Sequence, residues 1–365
     1  MYEQLEIAGF RGIRDLRIEN LRRVNLFVGT NNVGKTSLLE AAWLLRAPGN
    51  PSLLLNIAQS RGINLLTLPG VRTITPNLLW TPLFYGNGGK RETIRLGATE
   101  SGVTEELIIR AGNGTRSVVL NGRDLGQTTA PSDLTHSSRP ALLVSETLEY
   151  IYQKGNEEPL RTTAEFVNNA INFTMNEVLT RFAVYLSTRS WVSEQELAES
   201  FTKLEETEAI GILVSALKVL DERLQGLSLG FIDGRPVIRG HLQGQQLLPL
   251  YFLGDGAVHL ANITLSIASA RDGTVMIDEL ENGFYYKNLQ SGWEAIRRAC
   301  ALSKAQIFAT THSRECVMAA LRAFGDDARD QFRLFRLENM GDHTRAIAYD
   351  VETANAAFAL DLEVR

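Results

Sequence analysis

Cysteine is almost missing: Cys300 and Cys316 are the only two in 365 residues. Two are too few for a disulfide framework or a thiolate zinc site, and they fit a reducing compartment. Long apolar runs are missing as well. No stretch approaches the roughly 18 apolar residues of a membrane-spanning helix. The opening residues MYEQLEIAGF lack the basic region and apolar core of a secretory signal. A large charge of one sign is also lacking, because 37 basic against 42 acidic residues leave −5. That balance argues against a basic coat around nucleic acid but leaves room for a local positive patch. No sustained heptad runs through the middle of the chain, which excludes long coiled-coil arms. What is present, 44% hydrophobic and 22% charged residues, describes a soluble cytoplasmic protein without membrane partners, long enough for two lobes.

Alternating stretches at 5–7 and 16–18 flank Gly9-Phe10-Arg11-Gly12 and predict strand, turn and strand. Val24–Val28 is apolar throughout, as in a strand covered on both faces. Lys35–Arg46 reads as a helix with almost no polar face, hence a buried one, stopped by Pro48-Gly49. Segments 93–96, 106–110 and 116–120, separated by Gly112-Asn113-Gly114 and Asn121-Gly122, predict an antiparallel meander. Residues 127–140 are a polar loop. Residues 141–225 read as a helical insertion, with helices at 194–203 and 208–224, and a hairpin follows around Asp233-Gly234. The last third alternates strands (Thr274–Ile277, Gln306–Thr310, 332–337, 346–349) with helices (260–270, 290–302, 314–324). That alternation predicts parallel βαβ units. The expected fold is α/β: a mixed or parallel core sheet flanked by helices, with an antiparallel meander and a helical insertion. Residues 1–140 and 226–365 would be the two halves of one head that share a sheet, and 141–225 the insertion.

Gly29-Thr30-Asn31-Asn32-Val33-Gly34-Lys35-Thr36 matches G-x-x-x-x-G-K-[ST] and continues with Ser37, between an apolar strand and a helix. Its glycines let backbone N–H groups wrap phosphates, and the helix N-terminus adds positive potential. Lys35 would reach the β- and γ-phosphates of ATP, and the Thr36 hydroxyl would sit on Mg2+. The strand Thr274–Ile277 ends in Asp278-Glu279. Alone such a pair is commonplace. With a phosphate loop it supplies what phosphoryl transfer requires: Asp278 for the metal and Glu279 to polarise the attacking water. Two weaker motifs lie nearby. Gly254-Asp255-Gly256 precedes an apolar helix, and by itself is a simple turn. His312 follows the strand Gln306–Thr310, where an imidazole can sense a γ-phosphate.

The order of these motifs resembles the ATPase heads of the ABC superfamily, within it the soluble RecF/SMC-like branch and its OLD-type AAA ATPase relatives. The matching stretches are I-x-G-F-R-G-I at 7–13, N-L-F-V-G-T-N-N-V-G-K-T-S-L-L-E at 25–40, P-L-Y-F-L-G-D-G at 249–256, M-I-D-E-L-E-N-G at 276–283 and A-T-T-H-S at 309–313. The resemblance implies a dimer, or a higher oligomer, that sandwiches ATP. Gly254, Asp255 and Gly256 would then contact the partner's nucleotide, His312 would act as the γ-phosphate switch, and Arg11 would approach the nucleotide from the first strands. Tyr285 and His259 depart from the residues common in relatives, and Gln59 is a poor match for a Q-loop glutamine. OLD-type nucleases append a TOPRIM domain, for which the 53 residues after His312 are too few. The resemblance therefore implies an ATPase that controls a separately encoded nuclease or toxin, in phage defence or DNA transactions. The alternative is a RecF-like repair factor that binds DNA directly, with Arg22-Arg23, Lys90-Arg91 and Arg297-Arg298 as basic pairs.

Overall fold

A computed structural model describes residues 1–62, 80–88, 93–118, 141–167, 170–174, 181–187, 194–206, 210–244, 247–325 and 328–360. The chain opens with β1 (Tyr2–Phe10), β2 (Ile13–Ile18) and β3 (Val24–Val28), followed by helices α1 (Lys35–Arg46) and α2 (Leu53–Ser60). Six strands come next: β4 (Ile94–Glu100), β5 (Val103–Val118), β6 (Ala141–Lys154), β7 (Leu160–Val167), β8 (Ala170–Thr174) and β9 (Ala183–Leu186). Helices α3 (Glu194–Glu206) and α4 (Ile210–Lys218) lead to β10 (Leu224–Ile232), β11 (Arg235–Leu242) and the short β12 (Leu248–Pro249). The last third runs α5 (Asp255–Ser269), β13 (Thr274–Ile277), α6 (Leu289–Ser303), β14 (Gln306–Thr310), α7 (Arg314–Ala323), β15 (Phe332–Asn339), β16 (Thr344–Tyr349) and α8 (Val351–Ala359). No helix among the described residues is long and apolar enough to cross a membrane.

Three sheets result. The central one has the order β16-β15-β3-β14-β13-β9. It is parallel from β15 to β9, with only β16 antiparallel. A seven-stranded antiparallel sheet has the order β2-β1-β4-β5-β6-β7-β8, and β10-β11-β12 form the third. All five residues of β3 are buried, and its side chains alternate between two cores. Phe27 points to one, stacked between Phe308 and Phe335 at centroid distances of 6.0 and 5.2 Å. Leu26 and Val28 point to the other, which is built on Trp293. Helix α1 lies between the central and antiparallel sheets and packs on β1, β4, β9, β13 and β14, which is why it lacks a polar face. Gln306 closes the seam between the two sheets. It accepts from the Tyr2 N–H and donates to the Tyr2 carbonyl, both at 2.8 Å.

Two expectations are corrected. Among the described residues from 141 to 187 none is helical: β6 to β8 extend the antiparallel sheet, β9 forms an edge of the central one, and the first helix described after them is α3 from Glu194. In β6 the buried Leu148, Tyr150 and Tyr152 alternate with less buried neighbours, and this two-residue period fits a strand. The Gly112-Asn113-Gly114 segment is not a turn. It lies inside β5, where its backbone pairs with Ser145, Glu146 and Thr147 of β6, so long-range pairing overrides the local turn signal. Asn121-Gly122 and the polar loop at 127–140 fall outside the described residues.

Candidate functional site

The parallel register places three strand ends at one edge. Thr310 pairs with Phe27 and Ala309 with Ile277, so Gly29, Thr311-His312 and Asp278-Glu279 all emerge together. Ligands of open α/β sheets bind beyond such carboxyl ends. The loop between β3 and α1 needs its glycines. Gly34 has φ 107°, and a Cβ there would come 2.8 Å from Ile13 Cγ1; at Gly29, φ is 143° and the clash is 2.6 Å from the Leu337 carbonyl. Asn32 also takes a left-handed φ of 63°, a conformation asparagine tolerates better than most residues.

Lys35 is buried and donates Nζ to the carbonyls of Gly29 and Thr30, at 2.7 and 2.9 Å. Burial pulls its pKa below the usual lysine value, opposed by Asp278, Glu279 and Glu281. The Thr36 hydroxyl donates to Asp278 Oδ2 at 3.0 Å, although 242 residues separate the two. Asp278 also accepts from the Thr310 hydroxyl at 2.6 Å. Burial pushes the Asp278 carboxyl above the usual carboxylate range, against the pull of the Thr310 and Thr36 hydroxyls. The same Thr310 oxygen accepts the Glu279 N–H at 2.8 Å. Glu279 has φ 50°, an uncommon conformation for a residue with a Cβ. Its carboxylate accepts from Asn282 Nδ2 at 2.8 Å and lies 3.8 Å from His312 Nε2. Glu281 fixes the backbone at His312 by accepting the His312 N–H at 2.7 Å.

A cleft of about 890 Å3 is lined by Asn31, Asn32, Gly34, Lys35, Thr36, Ser37, Arg11, Glu279 and His312, among others. Sequence-selected residues from four separate segments thus share one concavity. Gly29 and Thr30 contact Lys35 from the loop, and Val33 is buried beneath it. Gly254, Asp255 and Gly256 are not among the lining residues. They sit at the start of α5, where a Gly256 Cβ would come 2.7 Å from the Gly283 carbonyl. His259 packs edge-on against Phe284. Gln59 is exposed and not among the lining residues, whereas Arg61, two positions on, lines the cleft. Arg61 escaped the sequence reading because it belongs to no motif. Its buried partner Glu40 did carry a signal, as an acid in an otherwise apolar helix.

A family profile described as "AAA domain, putative AbiEii toxin, Type IV TA system" matches residues 24–317. An uncharacterized protein of Methanocaldococcus jannaschii is 47% identical over 58 residues, which are 16% of this chain and 26% of that protein's length. An ATP/GTP phosphatase of Helicobacter pylori is 21% identical over 348 residues, covering 87% of this chain and 86% of its own. Among solved structures, the Smc head domain of Pyrococcus furiosus, with an extended coiled coil and bound to the C-terminal domain of ScpA, superposes with a TM-score of 0.50 at 10% identity. The match covers 99% of each chain. At that identity the likeness concerns the fold: an α/β P-loop head of the ABC type.

Proposed function

The chain belongs to this AAA-domain family, and from that premise we propose that it is an ATP-hydrolysing switch of the ABC type. In this reading two copies close around ATP and thereby govern a separately encoded effector. The contact of Thr36 with Asp278, 3.0 Å apart across 242 residues of sequence, carries the reading, because phosphoryl transfer needs this hydroxyl and this carboxylate at one metal.

The donor set suits Mg2+. A hydroxyl and a carboxylate are hard oxygen ligands, and substrate phosphates and water complete such a shell. Among the described residues no group of three His, Cys, Asp or Glu could hold a metal, in keeping with a cation shared with the substrate. When bound, Mg2+ neutralises charge on the β- and γ-phosphates. Lys35 exchanges the Gly29 and Thr30 carbonyls for phosphate oxygens. The N–H groups from Asn31 to Ser37 hold the remaining phosphate charge at the start of α1. Glu279 orients the attacking water and takes its proton, steadied by Asn282 and Thr310. His312, beside Glu279, donates to the γ-phosphate and reports its presence.

In the dimer, Gly254, Asp255 and Gly256 of one copy meet the nucleotide of the other. That position fits the exposure of Gly254 and Asp255 at a helix start, away from their own cleft. The family is described by a putative toxin of a toxin–antitoxin system, and since such a system pairs two proteins, this supports a separate protein as partner. The RecF-like alternative of direct DNA binding has no comparable support. Arg22-Arg23 precede β3, where Arg23 Nη1 is held by the Lys304 carbonyl at 2.6 Å, Arg297-Arg298 lie on α6, and Lys90-Arg91 fall outside the described residues.

The test is Glu279→Gln. Turnover is expected to drop about a hundredfold or more, while ATP binding persists and light scattering shows an ATP-dependent dimer. Hydrolysis at the parental rate would remove Glu279 from the reaction.

A further inference from the structure

Away from the nucleotide cleft, a second concavity of about 220 Å3 opens between α3, β11 and α5. Leu197, Ile238, Leu250 and Val258 form much of its wall and belong to, or pack against, the apolar core beneath α5. Asn262 lines it as well. The two concavities share no lining residue.

Asn262 is only 3% exposed. Its Nδ2 donates to the Val258 carbonyl, one turn back on α5, at 2.9 Å. A carbonyl only accepts, so this bond fixes which end of the amide is nitrogen. Oδ1 is the end left over, and it is buried with no donor among the described residues. Buried polar atoms nearly always find a partner, so one without any calls for an explanation. A leucine of similar size would pack here without the unmet acceptor. A lone water is a poor answer. It typically makes about three hydrogen bonds, and the side chains of Leu197, Ile238, Leu250 and Val258 offer none. What fits is an apolar group that carries one donor.

Size narrows the choice. An apolar cavity of about 150 Å3 holds benzene, so this one has room for two small fused rings and is below the volume of a drug-sized site. Tyr251 also lines it, half exposed and tilted against Phe252 with ring centroids 4.9 Å apart. Its ring is a surface on which an aromatic ligand can stack. The one charge in the lining is Glu194, exposed at the start of α3, so an anion finds no partner here.

We infer that this concavity binds a small, uncharged aromatic compound of the indole class, whose N–H donates to Asn262 Oδ1 while its rings cover the apolar wall. The site lies outside the ATP-handling residues and does not depend on the nucleotide reading. Val258 and Asn262 lie in the first two turns of α5, so the ligand sits directly behind the turn at Gly254-Asp255-Gly256.

Ligand-observed NMR titration of the full-length chain tests the assignment, with indole and with benzofuran, the same bicycle lacking the N–H. Indole is expected to bind the parent about tenfold more tightly, the difference a buried acceptor makes when its donor is missing. Asn262→Leu is expected to abolish that preference, with a thermal midpoint no lower than the parent's because the orphan acceptor is gone. Leu197→Trp fills the concavity from a half-buried position on α3 and is expected to remove binding of both probes. Equal affinity of the parent for the two probes, a preference that survives Asn262→Leu, or no binding of indole to the parent would each overturn the assignment. None of these outcomes touches the nucleotide reading, which ATP binding by the parent and by Lys35→Ala tests separately.

Discussion

Thr310 does more with one hydroxyl than its size suggests. Its proton goes to Asp278 at 2.6 Å while its oxygen takes the Glu279 N–H at 2.8 Å. The left-handed backbone at Glu279 is thereby tied to the Asp278 carboxylate, which explains how an uncommon φ persists at this position. His259 shows a different constraint. Its Nε2 lies 3.3 Å from the Leu280 carbonyl and its ring abuts Phe284, and burial holds its pKa below the usual imidazole value. The sign follows directly. As pH falls through the unfolded value of about 6.5, the unfolded chain takes up a proton that the folded chain refuses. Stability therefore declines through that window and levels off once pH passes the lower folded value. Urea midpoints at pH 7.5 and 5.5 should separate further for the parent than for His259→Gln; equal separations would mean that His259 is not the group responsible.

Among the elements, β3, β13 and β14 were legible because each is a short apolar run ending in a chemically marked loop. Their register did the rest, since parallel strands that finish level bring Lys35, Asp278 and His312 to one edge. The strands from 141 to 174 were not legible. In β7 the buried face carries Thr162 and Ala164, a weak hydrophobic signal, and its strandedness comes from pairing with β6. Gly112-Asn113-Gly114 misled for the converse reason, as a good local turn sequence captured by a long ladder. Arg61 has no signature at all; only the folded position of Glu40 reveals it. The start of α5 offers an element-scale prediction. Gly256→Ala would drive a Cβ to 2.7 Å from the Gly283 carbonyl, and two backbones in contact cannot yield as a side chain does. The expected cost is about 1–3 kcal/mol, read from denaturant unfolding, with a fall in ATPase activity as the turn after β13 shifts.

For the molecule as a whole, the joint between the central and antiparallel sheets depends heavily on Gln306. It is buried, and it bonds to both backbone groups of Tyr2 and, at 3.0 Å, to the Arg22 carbonyl. Gln306→Ala leaves those groups without their partner and is expected to cost about 2–4 kcal/mol, with thermal unfolding still a single transition; two separated transitions would mean that the sheets fold independently. The strand order has a consequence for the order of synthesis. β3 lies between β14 and β15, which leave the ribosome some 280 and 310 residues after it. At about 5–20 residues per second, translation keeps the apolar stretch VNLFV without either lateral neighbour for tens of seconds. During that interval the nascent protein displays an apolar segment to solvent, and chaperone capture early in translation, relieved only when the final third has emerged, becomes the natural expectation for its biogenesis.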